Sequence, residues 1–200
     1  MQVAVEHSRG SDTLLEGAPA WHQLLQTLDR IDRDALVARQ LTLSRGPTQP
    51  PKGGQRALND LLTGLLEPMD WTANSRVFRP RPSLPPWRLS FHRDSVGVVV
   101  CTQNVGYLAQ KLLTLQIAAG PPSESRWAPS AVDVGALLVP TSVLKSWSRM
   151  DSSVATFGDA IAQNDGLSSV LSAPIAILGL DARTGGSLWE TTDVFPGRAT

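Results

Sequence analysis

His92 and Cys101 stand nine residues apart, and an imidazole beside a thiol is the pairing that activates a cysteine nucleophile. The pairing demands hydrogen-bond reach and a third group to orient the ring. On one continuous strand the two side chains would face opposite sides, with about 30 Å between them, so only a fold-back of the chain would bring them together. No orienting third residue presents itself, and Cys101 reads as a small buried hydrophobe instead. As the single cysteine it excludes an internal disulfide framework and a Cys-based zinc site.

A second chemistry lies in the arginines. Between Ala35 and Arg93 nine basic residues face three acids (Asp60, Glu67 and Asp70), a net +6 inside a chain of net charge zero. From Trp71 to Arg93 there are five arginines, Arg76, Arg79, Arg81, Arg88 and Arg93, and no acid. A planar guanidinium offers the bidentate donors that phosphate takes, and a polyanion would meet such a cluster first. The alternative is a solvated basic loop, and overall neutrality favours a protein-interaction scaffold that binds no DNA.

The elements that must position these residues follow from periodicity. Trp21, Leu24, Leu25, Leu28 and Ile31 recur every three or four residues, which predicts an amphipathic helix over roughly Pro19 to Ala38. The proline- and glycine-rich run Ser44 to Gly54 forbids regular structure. Leu58, Leu61, Leu62, Leu65 and Leu66 predict a second helix ending near Pro68. Four prolines between Arg79 and Pro86 make that stretch extended and keep it out of a sheet centre. Leu89 to Cys101 reads as a strand or a hairpin with Arg93-Asp94-Ser95 as its break, and its valines predict a central strand buried on both faces. Leu108 to Ile117 is a helix stopped by Gly120-Pro121-Pro122. Val132 to Val139 is a strand, Thr141 caps a short helix through Trp147, Ala155 to Gln163 is helical, and Ile175 to Leu180 is a third apolar strand. Strands alternating with helices indicate an α/β (α+β) domain.

Two hundred residues, 42% hydrophobic and 18% charged, suit one globular domain. It is expected over residues 1–182, with 183–200 as a C-terminal tail. The most apolar run, Ala131 to Pro140, is too short to span a membrane and contains Asp133. Met1 to Glu6 has no basic region leading an apolar core, so no signal peptide is read. A cytoplasmic protein is the expectation.

With this layout, several phrases resemble the BglII-type restriction endonucleases, a branch of the PD-(D/E)XK nuclease superfamily. Ala57-Leu58-Asn59 followed by Trp71 is similar to that family's Leu-Asn helix and later Gly-Trp. The run Leu89 to Cys101, with Asn104 after it, resembles the family's catalytic hairpin. Ala131-Val132-Asp133-Val134-Gly135 closing with Val139-Pro140-Thr141 is similar to its next strand, and Ala173 to Leu180 to its last core strand. The resemblance covers about residues 7 to 182. It implies a central mixed β-sheet flanked by helices, magnesium-dependent cleavage of double-stranded DNA, and two-fold-symmetric dimers on palindromic sites.

The family pattern sets an Asp nine residues before a Glu, with Glu or Gln two further on. Carried onto this chain, those positions are Ser90, Val99 and Cys101. Magnesium takes hard oxygen ligands, held mainly by one or two carboxylates. Val99 has no donor atom, Cys101 offers soft sulfur and Ser90 carries no charge. No metal or other cofactor is therefore expected, and magnesium enters only if the acids have moved. The fallback ligands are Asp94 and Asp133, although Asp133 also reads as a satisfied buried carboxylate. The resemblance implies DNA contacts at Asn104, which can bond adenine in a bidentate way, and at Ser152 and Ser153. The structural alternatives are a turn or helix cap at Asn104 and a helix cap at the serines. Arg79, Arg81, Arg88 and Arg93 complete the expected DNA-binding set. The six tryptophans read as core or interface residues rather than base-stacking platforms. The leading expectation is a catalytically disabled, DNA-binding homodimer that works as a regulator or beside an active nuclease or a DNA methyltransferase, or that is an inactive remnant, with no membrane partner. The alternatives are an active nuclease with a relocated metal site and a protein-interaction scaffold.

Overall fold

Five residues, Val96-Gly97-Val98-Val99-Val100, form a strand whose side chains are consumed by packing on both sides. The computed structural model describes residues 1–43, 54–78, 87–121 and 132–181. In chain order it contains β1 (Gln2–Ser8), α1 (Ser11–Glu16), α2 (Pro19–Arg30), α3 (Arg33–Leu43), α4 (Gly54–Leu66), β2 (Thr72–Arg76), β3 (Arg88–Arg93) and β4 (Val96–Val100). Then follow α5 (Leu108–Ala119), β5 (Val134–Pro140), α6 (Ser142–Trp147), α7 (Phe157–Gly166) and β6 (Ile175–Asp181).

The strands make one six-stranded mixed sheet in the order β1-β6-β5-β4-β3-β2. The β4, β5 and β6 strands are parallel, while β1 and the β2–β3 pair run antiparallel to their neighbours. Parallel neighbours need crossover connections, which α5 supplies between β4 and β5 and the α6–α7 pair between β5 and β6. Alternation along β4 decides its burial. Val96 and Val98 join Leu24, Leu28, Leu58, Leu62 and Leu144 on one face. Val99 joins Leu108, Leu112, Leu115 and Phe157 on the other. An α+β domain around a mixed sheet is thus the architecture, and β4 is its central, doubly buried strand.

One expected helix is two. Ile31 keeps its place in the apolar stripe and is buried, but its backbone is extended, with ψ of 94°. Asp32 then opens α3, its carboxylate accepting the Ala35 N–H at 2.7 Å. The carbonyls exposed where α2 ends are met by the Met1 ammonium, which donates to Leu28 O at 3.2 Å and to Ile31 O at 2.7 Å. The fourth and fifth helices and the three apolar strands lie close to where periodicity puts them. Thr141 caps α6 through the Leu144 N–H. The edge strands β1 and β2 went unpredicted because they face too much water to carry an apolar pattern; β2 is Thr-Ala-Asn-Ser-Arg. Most of the 44–54 loop, the proline-rich 79–86 stretch and the 183–200 tail lie outside the described residues. Among the described residues no helix is long and apolar enough to cross a membrane.

Gly179 of β6 lies against Phe157 of α7. A methyl there would lie 2.7 Å from Cγ of the Phe157 ring and 3.1 Å from its Cβ. Those atoms sit near the backbone and cannot swing away. Gly179→Ala is expected to destabilise the protein by about 1–3 kcal/mol, measured as a lower urea midpoint with an unchanged slope.

Candidate nucleic-acid interface

Three parallel strands deliver their C-terminal ends to one edge, the side of an open α/β sheet where ligands generally bind. There the chain leaves β4 through Cys101-Thr102-Gln103-Asn104, and the Cys101 N–H stays on the β5 register by donating to Leu138 O at 2.8 Å. It leaves β5 through Thr141 into α6 and returns along residues 150–155. These two exits pair with each other. Asn104 and Val154 form an antiparallel bridge. The Val105 N–H donates to Ser153 O and the Ala155 N–H to Gln103 O, both at 2.9 Å.

The sequence-predicted Asn104, Ser152 and Ser153 therefore stand on one surface. Asn104 and Ser152 are exposed and Ser153 is half-buried. The Asn104 Oδ1 accepts the Gly106 N–H at 2.8 Å and so closes the short 3₁₀ turn Val105–Tyr107. The serines do not cap a helix. Asp151 takes Ser153 N–H and Oγ–H on the same carboxylate oxygen, at 2.8 and 2.7 Å, an Asx-type turn. The cap of α7 is Thr156, in a reciprocal capping box with Asp159. Sequence reasoning missed Lys145, whose ammonium donates to Ser152 O and Val154 O at 2.6 Å each. Asn59, quoted above only as part of the Leu-Asn phrase and given no role there, donates from Nδ2 to the Thr102 hydroxyl at 3.2 Å. Neither contact follows from local sequence, since each partner arrives from a distant segment or across a loop.

Of the predicted arginines, the two described ones, Arg88 and Arg93, lie at opposite ends of the sheet. Because β3 runs antiparallel to β4, Arg88 lies at the same end of the sheet as Asn104, with Arg76 across from it on β2. Arg88 donates to Asn74 O at 2.5 Å. Arg93 is at the opposite end of the hairpin. It donates to Gln23 Oε1 at 2.6 Å and to the Met69 carbonyl, and its Nε is 3.5 Å from the Asp94 carboxylate. Gln23 Oε1 also receives the Trp71 indole N–H at 2.8 Å. Arg93 is a structural tie of the β3–β4 turn to α2 and does not join the Asn104 surface. Arg79 and Arg81 lie outside the described residues. Trp21 and Trp71 are core residues, and Trp147 lies under the Arg33 guanidinium at 4.5 Å.

The three positions that the resemblance assigns to metal ligands are otherwise engaged. Val99 and Cys101 are fully buried against α5. The Ser90 Oγ accepts the Val100 N–H at 2.9 Å, so its hydroxyl stands in for a ladder acceptor just beyond the last registered pair, Phe91 with Val98. A hydroxyl held by a backbone amide, a hydrocarbon and a buried thiol do not fit a hard divalent cation. Burial pushes the Cys101 thiol up, against smaller opposing effects from the Gln103 backbone and Lys111.

The hairpin does fold the chain back between His92 and Cys101, but His92 pairs with Gly97. Four residues of strand, about 13 Å, then separate the imidazole from the thiol, although both face the same side of the sheet. The fallback acids also lie elsewhere. Asp94 occupies the turn with φ of 49° and is 67% exposed. Asp133 is exposed rather than buried, and its N–H donates to Ser95 O at 2.8 Å. A satisfied buried carboxylate is thus the wrong reading of Asp133, because β5 begins one residue later and leaves it at the rim. Both acids sit at the N-terminal ends of β4 and β5, about 17 Å (Asp94) and about 13 Å (Asp133) along the strands from the level of Val99. Among the described residues no three His, Cys, Asp or Glu side chains gather closely enough to hold a metal ion.

The model of the family described as restriction endonuclease BglII/BglIII matches residues 3–180. The chain belongs to that family. The fold agrees: the crystal structure of restriction endonuclease BglII complexed with a DNA 16-mer superposes with a TM-score of 0.61 at 17% identity, covering 90% of this chain and 77% of that one. The free BglII structure gives 0.56 at 16% identity, covering 90% and 79%. A direct sequence comparison with curated proteins yields no match. Membership of the BglII/BglIII family includes β1, which lies ahead of the segments that first suggested it.

Three measurements check this account of the site. Arg93→Met keeps the aliphatic stem and removes donors bonded to Gln23 and Met69, so a loss of about 2 kcal/mol is expected in urea unfolding. Cys101 has a folded pKa above its unfolded value. Its contribution is complete below about pH 8.5 and is lost as pH rises through the folded value. The melting temperature is expected to fall with a steeper alkaline slope in the native protein than in Cys101→Ala, and Cys101 to resist thiol reagents until the protein unfolds.

Proposed function

We propose that this member of the BglII/BglIII family binds double-stranded DNA as a homodimer and does not cleave it. The observation that carries the reading is the pairing of the Gln103–Val105 and Ser153–Ala155 segments. It sets Asn104, Ser152 and Ser153 on one surface at the C-terminal edge of the parallel strands. Asn and Ser side chains can read base edges, and Arg88 with Arg76 at the same end supplies positive charge for the backbone. The absence of cleavage is supported by the residues at the family's ligand positions. Ser90 is held by the Val100 N–H, Val99 is core and Cys101 is buried. They do not fit magnesium, so no hydrolytic step runs through them. A cytoplasmic DNA-binding regulator, or a partner subunit beside an active nuclease or a methyltransferase, is the role this combination suits.

A relocated metal site is the second reading, favoured by the presence of Asp94 and Asp133 at one end of β4 and β5. The two separate by assay. Binding to duplex DNA, followed by fluorescence anisotropy, is expected to weaken steeply with salt, the logarithm of affinity falling by about 0.9 per phosphate neutralised for each unit in the logarithm of salt. Plasmid incubated with magnesium or manganese is expected to stay supercoiled. Nicking that disappears in Asp133→Ala would establish the relocated site, and undetectable binding at low salt would leave the interaction scaffold.

A further inference from the structure

We propose that Lys145 is the positioning residue that gives the DNA-facing surface its shape, and that its charge serves the loop rather than a phosphate. This inference rests on the DNA-binding reading above for its functional half and on geometry alone for its structural half. Within the loop 151–154, Asp151 tightens Ser153 through its carboxylate and its carbonyl accepts the Val154 N–H at 3.0 Å. Ahead of the loop the Met150 N–H donates to Lys145 O at 3.0 Å, and beyond it the strand-like contacts to Gln103 and Val105 hold the far side. Lys145 adds a side-chain anchor between these backbone bonds. Its ammonium has three donors, and two of them go to Ser152 O and Val154 O, the carbonyls on either side of Ser153.

The anchor is only as good as the platform it leaves from, and α6 is fixed on several sides. Thr141 caps its first turn. Leu144, beside Lys145, is fully buried. The carbonyl of Ser148 accepts from Gln40 of α3 at 2.8 Å. Gly54 of α4 lies so close that a Cβ there would meet Ser148 at 2.6 Å. A primary ammonium on this platform can grip two carbonyls as a point charge, which the serine side chains of the loop cannot do. Ser152 and Ser153 then face the same solvent as Asn104 without having to be ordered when a ligand arrives, an entropic gain in affinity.

The test separates the two halves. Lys145→Met keeps the stem and removes the donors. Amide hydrogen exchange at Val105 and Ala155 is expected to accelerate at least tenfold, while Val99 and Leu137 in the sheet keep their protection and so report an intact fold. Lys145→Gln, which stays polar but falls short of the carbonyls, is expected to do the same. DNA affinity in both variants is expected to drop about tenfold with the salt slope unchanged, whereas Arg88→Met should make the slope shallower by about 0.9. Unchanged exchange at Val105 and Ala155 overturns the positioning role whatever happens with DNA. A shallower slope in Lys145→Met overturns it in favour of a direct phosphate contact. If exchange accelerates but the unmodified protein binds no DNA, the anchor stands and the DNA-binding reading falls.

Discussion

Everything in this molecule is arranged around the two-sided burial of β4. The strand is bonded on one edge to β3 and on the other to β5, and its alternate side chains enter two separate apolar layers. A strand so enclosed has no dry polar pocket to offer, and any charge on it would have to be solvated or matched. The same enclosure makes β4 a rigid rail. Whatever leaves its C-terminal end leaves from a fixed point, and so Asn104 can meet a loop that is fifty residues away in the chain.

That rail also sorts the positive charge. Arg88 and Arg93 open and close the same strand, β3, yet they answer to different parts of the molecule. One lies beside the surface formed by Asn104 and the serines. The other is drawn into a knot with Gln23, Trp71 and Met69 that holds the hairpin turn against α2. A run of arginines in sequence is therefore no proxy for a basic patch in space, because an antiparallel strand of six residues separates its ends by the height of the sheet.

Much of this was legible beforehand, and the reasons differ by element. Buried strands and the Leu-rich α4 carry strong apolar patterns, and the Thr141 cap follows from local chemistry. The break of the first long helix could have been read from Asp32, three residues before Ala35, had cap chemistry been weighed against the apolar stripe running through Ile31. The roles of Arg93, Lys145 and Asp133 could not be read, because each depends on which distant backbone lies beside it. At the C-terminal edge of the sheet, sequence motifs named Asn104, Ser152 and Ser153 separately, but only pairing across that edge joins them.

The hydrogen bond from the Val100 N–H ties Ser90 into the sheet. Ser90, Val99 and Cys101 each contribute to the closed packing or to the ladder itself. A carboxylate placed at either buried position, Val99 or Cys101, would be an unmatched charge among leucines, and acids at all three positions would need a metal to make the set tolerable. The packing over β4 works as a lock: a metal-binding strand cannot be built here by single substitutions, because each one strands a charge before a cation can match it.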